Sequence, residues 1–327
     1  MHLDEFDLHR PRTVDEAVRL AADFPGAADY LAGGTDLLPN YKMHLNLKRH
    51  LIALEDVSEL RGHSATRIGA MERLADVEAD PAFLRAYPGL RDALSEVATP
   101  LVRSSGTVGG NLLVETRCFF FNQSYFWRAS LGFCLKADGD RCHVVPQTER
   151  CYATFSGDLA PALLVLDAEV ELAGPTGRRR LALADLYDAT GDGIRRTRIH
   201  PGELLVAVHL PAHAAGQRGR YKKLRVRPSF DFPELGVAVA GRWSAERVTS
   251  LRLAVGGLET YPRRFDDLTA PLAGGVFSDA AVAQLADAVM KRVRPVHNTF
   301  LLPDYRRRMV EVYVRRAVRE AVEGTAA

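Results

Sequence analysis

All the cysteines of this chain lie within 34 consecutive positions, as Cys118, Cys134, Cys142 and Cys151. The same window is rich in aromatic residues, including the run Phe119–Phe121. Four thiolates are the ligand set of one [4Fe–4S] cluster, and the same number suits one structural zinc ion. Because apolar walls around the sulfurs suit a redox cluster, the window predicts a metal-binding insertion that the rest of the fold has to accommodate.

The spacing of the cysteines leaves three interpretations open. Structural zinc sites normally contain cysteine pairs separated by two to four residues, whereas the gaps here are fifteen, seven and eight residues. Disulfides belong mainly to small secreted proteins, and the N-terminal sequence MHLDEFDLHRP has no signal-peptide pattern, so we do not expect secretion. The spacing favours an iron–sulfur cluster, with zinc and disulfides or free thiols as alternatives. We expect His143 to be a neighbour of the site and not a ligand.

Composition limits the classes of partner. The chain has 327 residues, enough for two or three domains with substantial cores. Its net charge of +2 does not indicate binding to nucleic acid or to an anionic membrane. No apolar run approaches the ~20 residues that a membrane helix needs. We therefore expect a cytoplasmic protein that binds neither nucleic acid nor membranes, in a reducing compartment that keeps thiolates available for metal.

The hydrophobic pattern changes along the chain. A capping box at Thr13–Glu16 predicts a helix that ends near Ala22. Strands are predicted later, at Ala162–Ala173, Leu204–Leu210, Tyr221–Val226, Gly236–Trp243 and Val248–Gly256. Two helices are predicted near the C-terminus, at Ala280–Arg292 and Tyr305–Val322.

Two separate Gly-Gly turns stand in the N-terminal part of the chain, Ala32-Gly33-Gly34-Thr35-Asp36-Leu37 and Thr107-Val108-Gly109-Gly110-Asn111. Glycine lets a backbone approach a ligand closely, and consecutive N–H groups form anion-binding nests. Together the two loops could hold the two phosphates of a dinucleotide. Neither is a G-x-G-x-x-G motif, and G-x-x-x-x-G-K-[ST] is absent. Taken alone, each loop is better explained as a tight turn.

In this order, the two loops resemble the FAD-binding subunits of the xanthine dehydrogenase family of molybdenum hydroxylases. Downstream, Ser156–Leu164 is similar to that family's S-D-x-x-P-A-L segment, and Tyr221–Lys223 with Arg227 and Asp231 is similar to its Y-x-K…R…D-F stretch. The resemblance covers essentially the whole chain. It implies an α+β protein with a FAD-binding domain of the vanillyl-alcohol-oxidase (PCMH) type at 1–212, in subdomains of about 1–57 and 58–212. A C-terminal domain of antiparallel strands and helices would occupy 213–327.

Most members of the family pass almost directly from T-x-G-G-N to S-D-x-x-P, whereas here residues 115–155 intervene and contain every cysteine. This insertion resembles the β subunits of 4-hydroxybenzoyl-CoA reductases over Thr116–Cys118, Gly139–Val144 and Arg150–Thr154. In those subunits the insertion carries a [4Fe–4S] cluster. The resemblance implies the same cluster here, with the four cysteines as its ligands.

The resemblance also implies roles for individual residues. The backbones of Ala32–Leu37 and Thr107–Asn111 would hold the FAD pyrophosphate. Asp158 and Lys223 would lie near the isoalloxazine, where charge and hydrogen bonding tune a flavin. A one-residue slip would put Lys222 in place of Lys223, and Asp158 could instead cap a helix. No role is assigned to the Asp36 side chain.

The function implied is that of an oxidoreductase subunit that transfers electrons and has no catalytic residue of its own. Its partners would be a molybdopterin-binding large subunit, a small [2Fe–2S] subunit and a ferredoxin-like donor, in a complex that reductively dehydroxylates 4-hydroxybenzoyl-CoA. One alternative is the FAD subunit of a related hydroxylase that acts on another aromatic or heterocyclic substrate. An alternative of another class is a non-enzymatic zinc-binding scaffold.

Overall fold

The computed structural model describes residues 3–244 and 247–323. Within these ranges the chain forms three sheets in sequence order. None of the helices described is long and apolar enough to cross a membrane.

The first sheet is parallel and is built from a short βαβαβ segment. Its elements are β1 (Asp7–His9), α1 (Val14–Asp23), β2 (Ala28–Leu31), α2 (Leu37–Lys42) and β3 (His50–Ala53). The strand order is β1–β3–β2. Helix α1 begins as predicted, because the Thr13 Oγ1 accepts a hydrogen bond of 3.1 Å from the Glu16 N–H. The first Gly-Gly loop joins β2 to α2 at the carboxyl end of a parallel strand, where ligands bind in open α/β sheets.

The second sheet is antiparallel and has five strands. They are β4 (His63–Ser64), β5 (Arg67–Gly69), β6 (Glu169–Gly174), β7 (Gly177–Ala182) and β8 (Leu204–His209). The order is β4–β5–β8–β6–β7. Most of its helices fall between β5 and β6 in the sequence: α3 (Leu74–Glu78), α4 (Pro81–Ala86), α5 (Pro88–Glu96), α6 (Pro100–Arg103), α7 (Val108–Leu112), α8 (Tyr125–Ser130) and α9 (Leu159–Leu164), with α10 (Leu183–Leu186) after β7.

One strand prediction fails in this region. The segment Ala162–Ala173 is not one strand, because helix α9 ends at Leu164 and only β6 is extended. All six residues of α9 are buried. A helix buried on every side has no polar face to mark its period, so its sequence cannot be distinguished from that of a buried strand.

The third sheet is antiparallel and C-terminal. It contains β9 (Arg218–Leu224), β10 (Leu235–Ser244), β11 (Arg247–Gly256) and β12 (Arg263–Arg264), followed by α11 (Asp266–Thr269), α12 (Asp279–Arg292) and α13 (Pro303–Glu323). The order is β12–β11–β10–β9. Val237 and Val239 pack with α13 on one face, whereas Ala238 and Ala240 join the core of the second sheet on the other. The remaining strand predictions and both C-terminal helix predictions are confirmed to within a few residues.

The cysteine-bearing insertion, residues 115–155, contains a single short helix, α8. Its two ends are joined because Arg117 and Thr154 exchange two backbone hydrogen bonds of 2.8 Å. It has a small core of its own, in which Cys118, Cys134 and Cys151 pack with Leu45 from the segment after α2.

Candidate functional site

The first Gly-Gly loop presents unpaired main-chain donors. None of the N–H groups of residues 32–36 donates to an acceptor in the described part of the chain. Gly34 adopts a φ of 71°, in the left-handed region that favours glycine. Unpaired consecutive N–H groups form a nest for an anion. The loop therefore has the donors that a phosphate group requires.

The second Gly-Gly loop directly follows Ser105 and Gly106, which pack against the first loop. A Cβ on Gly33 would lie 1.9 Å from the Ser105 carbonyl oxygen, and one on Gly109 would lie 2.9 Å from Ala70, so both glycines allow close backbone packing. The N–H groups of residues 108–110 already donate within the protein, to Glu72 O (2.9 Å), Ala70 O (2.8 Å) and Thr107 Oγ1 (3.0 Å). The structure thus brings the two loops together, but the N–H groups of the first are unpaired and those of the second are paired.

The side chain of Asp36 connects the first loop to the insertion. Its Oδ2 accepts a hydrogen bond of 3.1 Å from the Glu115 N–H, and its Oδ1 forms an ion pair with Arg117. The Arg117 guanidinium also lies 4.4 Å from the ring centroid of Phe232. Since Arg117 precedes Cys118, one carboxylate links the glycine loop to the first of the cysteines, a role that the sequence did not reveal.

Asp158 and Lys223 form a buried ion pair of 3.0 Å. The Tyr221 hydroxyl donates to the other oxygen of Asp158 at 2.7 Å. Burial raises the pKa of Asp158, although Lys223 and Tyr221 oppose this shift. Asp158 precedes α9 without capping it through its side chain, and the Asn111 Oδ1 accepts from the next N–H, that of Leu159, at 3.0 Å. The pair therefore lies beside the second loop.

The register of β9 decides between the two lysines. Lys223 points to the buried face and pairs with Asp158, whereas Lys222 on the opposite face pairs with Glu320 at 2.6 Å. Of the two lysines, Lys223 is therefore the one that lies beside Asp158. Proximity to a flavin ring stays a prediction for both residues.

All four cysteines are buried and free of disulfide bonds. Their side chains line one small cavity that opens in part to solvent. The structure thus brings together four thiols that the sequence separates by as many as 33 positions. His143 also lines the cavity, and its Nε2 donates to the Phe133 carbonyl.

A main-chain N–H group points at one of the sulfurs, since that of Ala153 donates to the Cys151 Sγ at 3.4 Å. Such an N–H···S contact is typical of a cluster thiolate. Burial raises the pKa of Cys118 to about 12 and that of Cys151 to about 11. A metal would supply the positive charge that deprotonates them.

The four thiols are a ligand set of the size that a metal centre needs. Four thiolates suit one [4Fe–4S] cluster and also one zinc ion. In the described ranges no three His, Cys, Asp or Glu side chains are close enough together to hold a single metal ion.

Lys136 is a buried cation in the wall of the cavity, with a side chain only 3% exposed. Its ammonium donates to the Glu115 Oε1 at 2.6 Å, to the Gly193 carbonyl at 3.1 Å and to Thr116 Oγ1. Arg196 also pairs with Glu115, at 3.2 Å. Burial opposes ionisation of Glu115, but Arg196 and Lys136 outweigh it and lower its pKa to about 2.

Arg128 is a second buried cation of the insertion, at the end of α8 and only 1% exposed. One terminal nitrogen donates to the carbonyls of Met43 (2.6 Å) and His44 (3.1 Å), and Nε donates to that of Gln123 (3.2 Å). The other terminal nitrogen, Nη1, is buried and has no hydrogen-bond partner among the described residues.

Comparison with known proteins identifies the family. Residues 4–213 match the FAD binding domain in molybdopterin dehydrogenase, and residues 220–321 match the CO dehydrogenase flavoprotein C-terminal domain. The chain belongs to the FAD-binding subunits of the xanthine dehydrogenase and CO dehydrogenase family. Its predicted fold class, a PCMH-type FAD-binding domain followed by strands and helices, is confirmed.

Individual relatives of this flavin subunit agree with that assignment. It is 36% identical over 281 residues to the aldehyde oxidoreductase FAD-binding subunit PaoB of Escherichia coli, covering 83% of this chain and 86% of PaoB. It is 29% identical to the carbon monoxide dehydrogenase medium chain of Hydrogenophaga pseudoflava, covering 97% and 96% of the two chains. A solved structure of carbon monoxide dehydrogenase from that organism superposes with a TM-score of 0.79 at 28% identity, covering 99% of each chain.

Several residues of the flavin subunit's candidate sites were not predicted. Arg128 and Lys136 lie in a cysteine-rich, aromatic segment where a charged residue is normally read as a surface residue. Arg117 lies within the Thr116–Cys118 segment of the resemblance, which implied no role for it. The sequence signal for their burial was a charged residue within an aromatic run. This signal is weak, because burial depends on contacts with residues that are distant in the sequence.

Proposed function

We propose that this flavin subunit transfers electrons through two centres, a FAD at the glycine loops and a [4Fe–4S] cluster in the cysteine cavity. The observation that carries the proposal is the convergence of four free, buried thiols on one cavity. Cys118, Cys134, Cys142 and Cys151 would be the cluster ligands. When bound, the cluster exchanges one electron and the flavin one or two.

The first loop is the better candidate for the FAD pyrophosphate. Its N–H groups at residues 32–36 are unpaired, so they can bind the phosphates, and Gly33 packs against Ser105 just before the second loop at residues 107–111. Asp158 and Lys223 would set the charge near the isoalloxazine. We assign no catalytic residue to the chain, and we retain a division into a FAD-binding domain at 1–212 and a C-terminal domain at 213–327.

The chemistry on substrate would then belong to partner subunits. We propose a cytoplasmic complex with a molybdopterin-binding large subunit and a small [2Fe–2S] subunit. The names of the relatives, FAD-binding subunit and medium chain, support a role as one component of a larger enzyme. A zinc-binding scaffold is the alternative for the same four thiols, and metal analysis distinguishes the two.

For the substrate we favour an aldehyde, oxidised with electrons that leave through the flavin subunit. The support is the 36% identity to a subunit named for aldehyde oxidation. The second candidate is reduction of 4-hydroxybenzoyl-CoA with electrons from a ferredoxin-like donor. It is supported by the resemblance of the cysteine insertion to the β subunits of 4-hydroxybenzoyl-CoA reductases.

The two-centre assignment is tested by metal and flavin analysis of the anaerobically purified chain. We expect one FAD with about four iron and about four acid-labile sulfide per chain, and an EPR signal on reduction with dithionite. A Cys134→Ser variant should lose the iron and the signal while retaining FAD. FAD without iron, or zinc in place of iron, would overturn the assignment.

The substrate is tested on the purified complex. Turnover of an aromatic aldehyde with an artificial acceptor supports the first candidate. Reduction of 4-hydroxybenzoyl-CoA by a reduced ferredoxin supports the second. A complex that hydroxylates a heterocycle and accepts neither substrate would contradict both.

A further inference from the structure

The cysteine insertion encloses more positive charge than its carboxylates balance. Two cations with almost fully buried side chains, Arg128 and Lys136, belong to this segment. In the described ranges no carboxylate lies within ion-pair distance of Arg128, while Lys136 shares Glu115 with Arg196. A buried charge without a paired counter-charge is strongly unfavourable, so an anion nearby would stabilise such a residue.

Arg128 lies next to the cysteine loop. Its carbonyl accepts the Phe133 N–H at 2.8 Å, immediately before Cys134, and its guanidinium lies 6.0 Å from the Phe133 ring centroid. Burial is the largest effect and lowers the pKa of Arg128, while the nearby charges of Asp138 and then of Cys134 favour the charged guanidinium. The orphaned Nη1 leaves one donor free.

Lys136 lies even closer to the cavity, since it is one of the lining residues. Its ammonium also lies 4.8 Å from the ring centroid of Phe121, another lining residue. Its field is partly offset by Glu115, which remains charged because Arg196 also holds it. Arg128 has no direct ion pair in the described ranges and is opposed only by the more distant charge of Asp138, so despite its closer position Lys136 should affect a group in the cavity less.

We propose that Arg128 and Lys136 are the counter-cations of the [4Fe–4S] cluster and raise its reduction potential. This rests on the proposed function, since it requires a cluster in the cavity. A [4Fe–4S] cluster held by four thiolates is anionic, and one-electron reduction adds a further negative charge. Fixed cations stabilise the reduced form more than the oxidised form, which makes the cluster easier to reduce.

The effect of the Arg128 charge on the cluster has to be distinguished from the effect of its hydrogen bonds on the structure. Its guanidinium also joins α8 to the segment after α2, through the Met43 and His44 carbonyls. Arg128→Gln removes the charge and keeps amide donors, whereas Arg128→Lys keeps the charge and alters the donors. A purely structural role predicts that both variants behave alike.

The test is an EPR-monitored redox titration of the full-length, iron-loaded chain. At the wild-type midpoint potential, Arg128→Gln should lower the ratio of reduced to oxidised cluster about tenfold, equivalent to a shift of about 59 mV for one electron. Lys136→Gln should lower it about threefold, and Arg128→Lys should leave it within about twofold. Arg141→Gln is the control, because Arg141 precedes Cys142 but is exposed and screened by water.

The outcomes separate this proposal from the proposed function. Absence of iron from the wild-type chain overturns the cluster itself. Iron-loaded Gln variants with wild-type potentials overturn the role of the cations and leave the cluster intact. If Arg128→Gln does not fold, Lys136→Gln still decides, because Glu115 keeps Arg196 as its partner in that variant. Equal shifts in Arg128→Lys and Arg128→Gln also overturn the proposal.

Discussion

The glycine-loop region and the cysteine insertion obtain their order in different ways. The second glycine loop is fixed by hydrogen bonds to Ala70 and Glu72, and beside it Asp158 and Lys223 compensate each other. The insertion has one short helix, a small core of thiols and a cation without a carboxylate partner. The flavin site is therefore ordered largely by contacts within the protein, whereas the insertion encloses cations that the proposed anionic metal centre would balance. A subunit built in this way should fold and bind FAD before it acquires iron.

The largest effect on the free energy of unfolding is expected at the buried ion pair of Asp158 and Lys223. Lys223→Met leaves Asp158 buried without its cation and should cost about 3–5 kcal/mol of unfolding free energy, with or without iron. The double variant Lys223→Met/Asp158→Asn should recover much of the loss. Lys222→Met is the control and should cost about 0–1 kcal/mol, because its pair with Glu320 is partly exposed.

The same variant has a predictable pH dependence. Burial already raises the pKa of Asp158 in the folded protein, and loss of Lys223 raises it further. A carboxyl whose folded pKa exceeds its unfolded value of about 3.9 favours folding in acid, and this contribution is lost as the pH rises through the folded pKa. The deficit of Lys223→Met relative to wild type should therefore be larger at pH 8 than at pH 5, as measured by urea denaturation. A deficit that does not change with pH would contradict a buried carboxylate.

A smaller effect is expected at the contact between the two loops. Gly33→Ala places a Cβ 1.9 Å from the Ser105 carbonyl oxygen, so the loops have to separate, at about 1–3 kcal/mol. The variant should purify with little FAD and a normal iron content. Gly110→Ala is the comparison, since its Cβ would meet only the Thr107 hydroxyl at 3.0 Å and should retain more FAD. Equal loss of iron and FAD in Gly33→Ala would show that the two regions are not independent.

The two regions also differ in how far the sequence predicts them. The strands of the third sheet were predictable because β10 and β11 alternate between two cores, and α12 and α13 carry helical patterns. Helix α9 was not predictable, since burial on every side removes the periodic signal. In the insertion, the number of cysteines indicated a shared site. The burial of Lys136 depends on Glu115 and Gly193, 21 and 57 positions away, and no local pattern reports contacts at that distance.

The smallest effect on stability is expected at the ion pair of Asp36 and Arg117, which connects the first glycine loop to the cysteine insertion. The pair is partly buried, so its loss in Arg117→Met should cost about 1–2 kcal/mol. In the wild type, removal of iron should loosen Cys118 and, through Arg117 and Asp36, weaken FAD binding several-fold. In Arg117→Met the FAD affinity should be lower and should no longer depend on iron, as measured by flavin fluorescence titration of iron-loaded and iron-free protein. Arg10→Met breaks an exposed ion pair with Glu55, which lies just after β3. This control variant should leave the iron dependence of FAD binding unchanged. If FAD binding by Arg117→Met depends on iron as strongly as in the wild type, the connection between the two sites runs elsewhere.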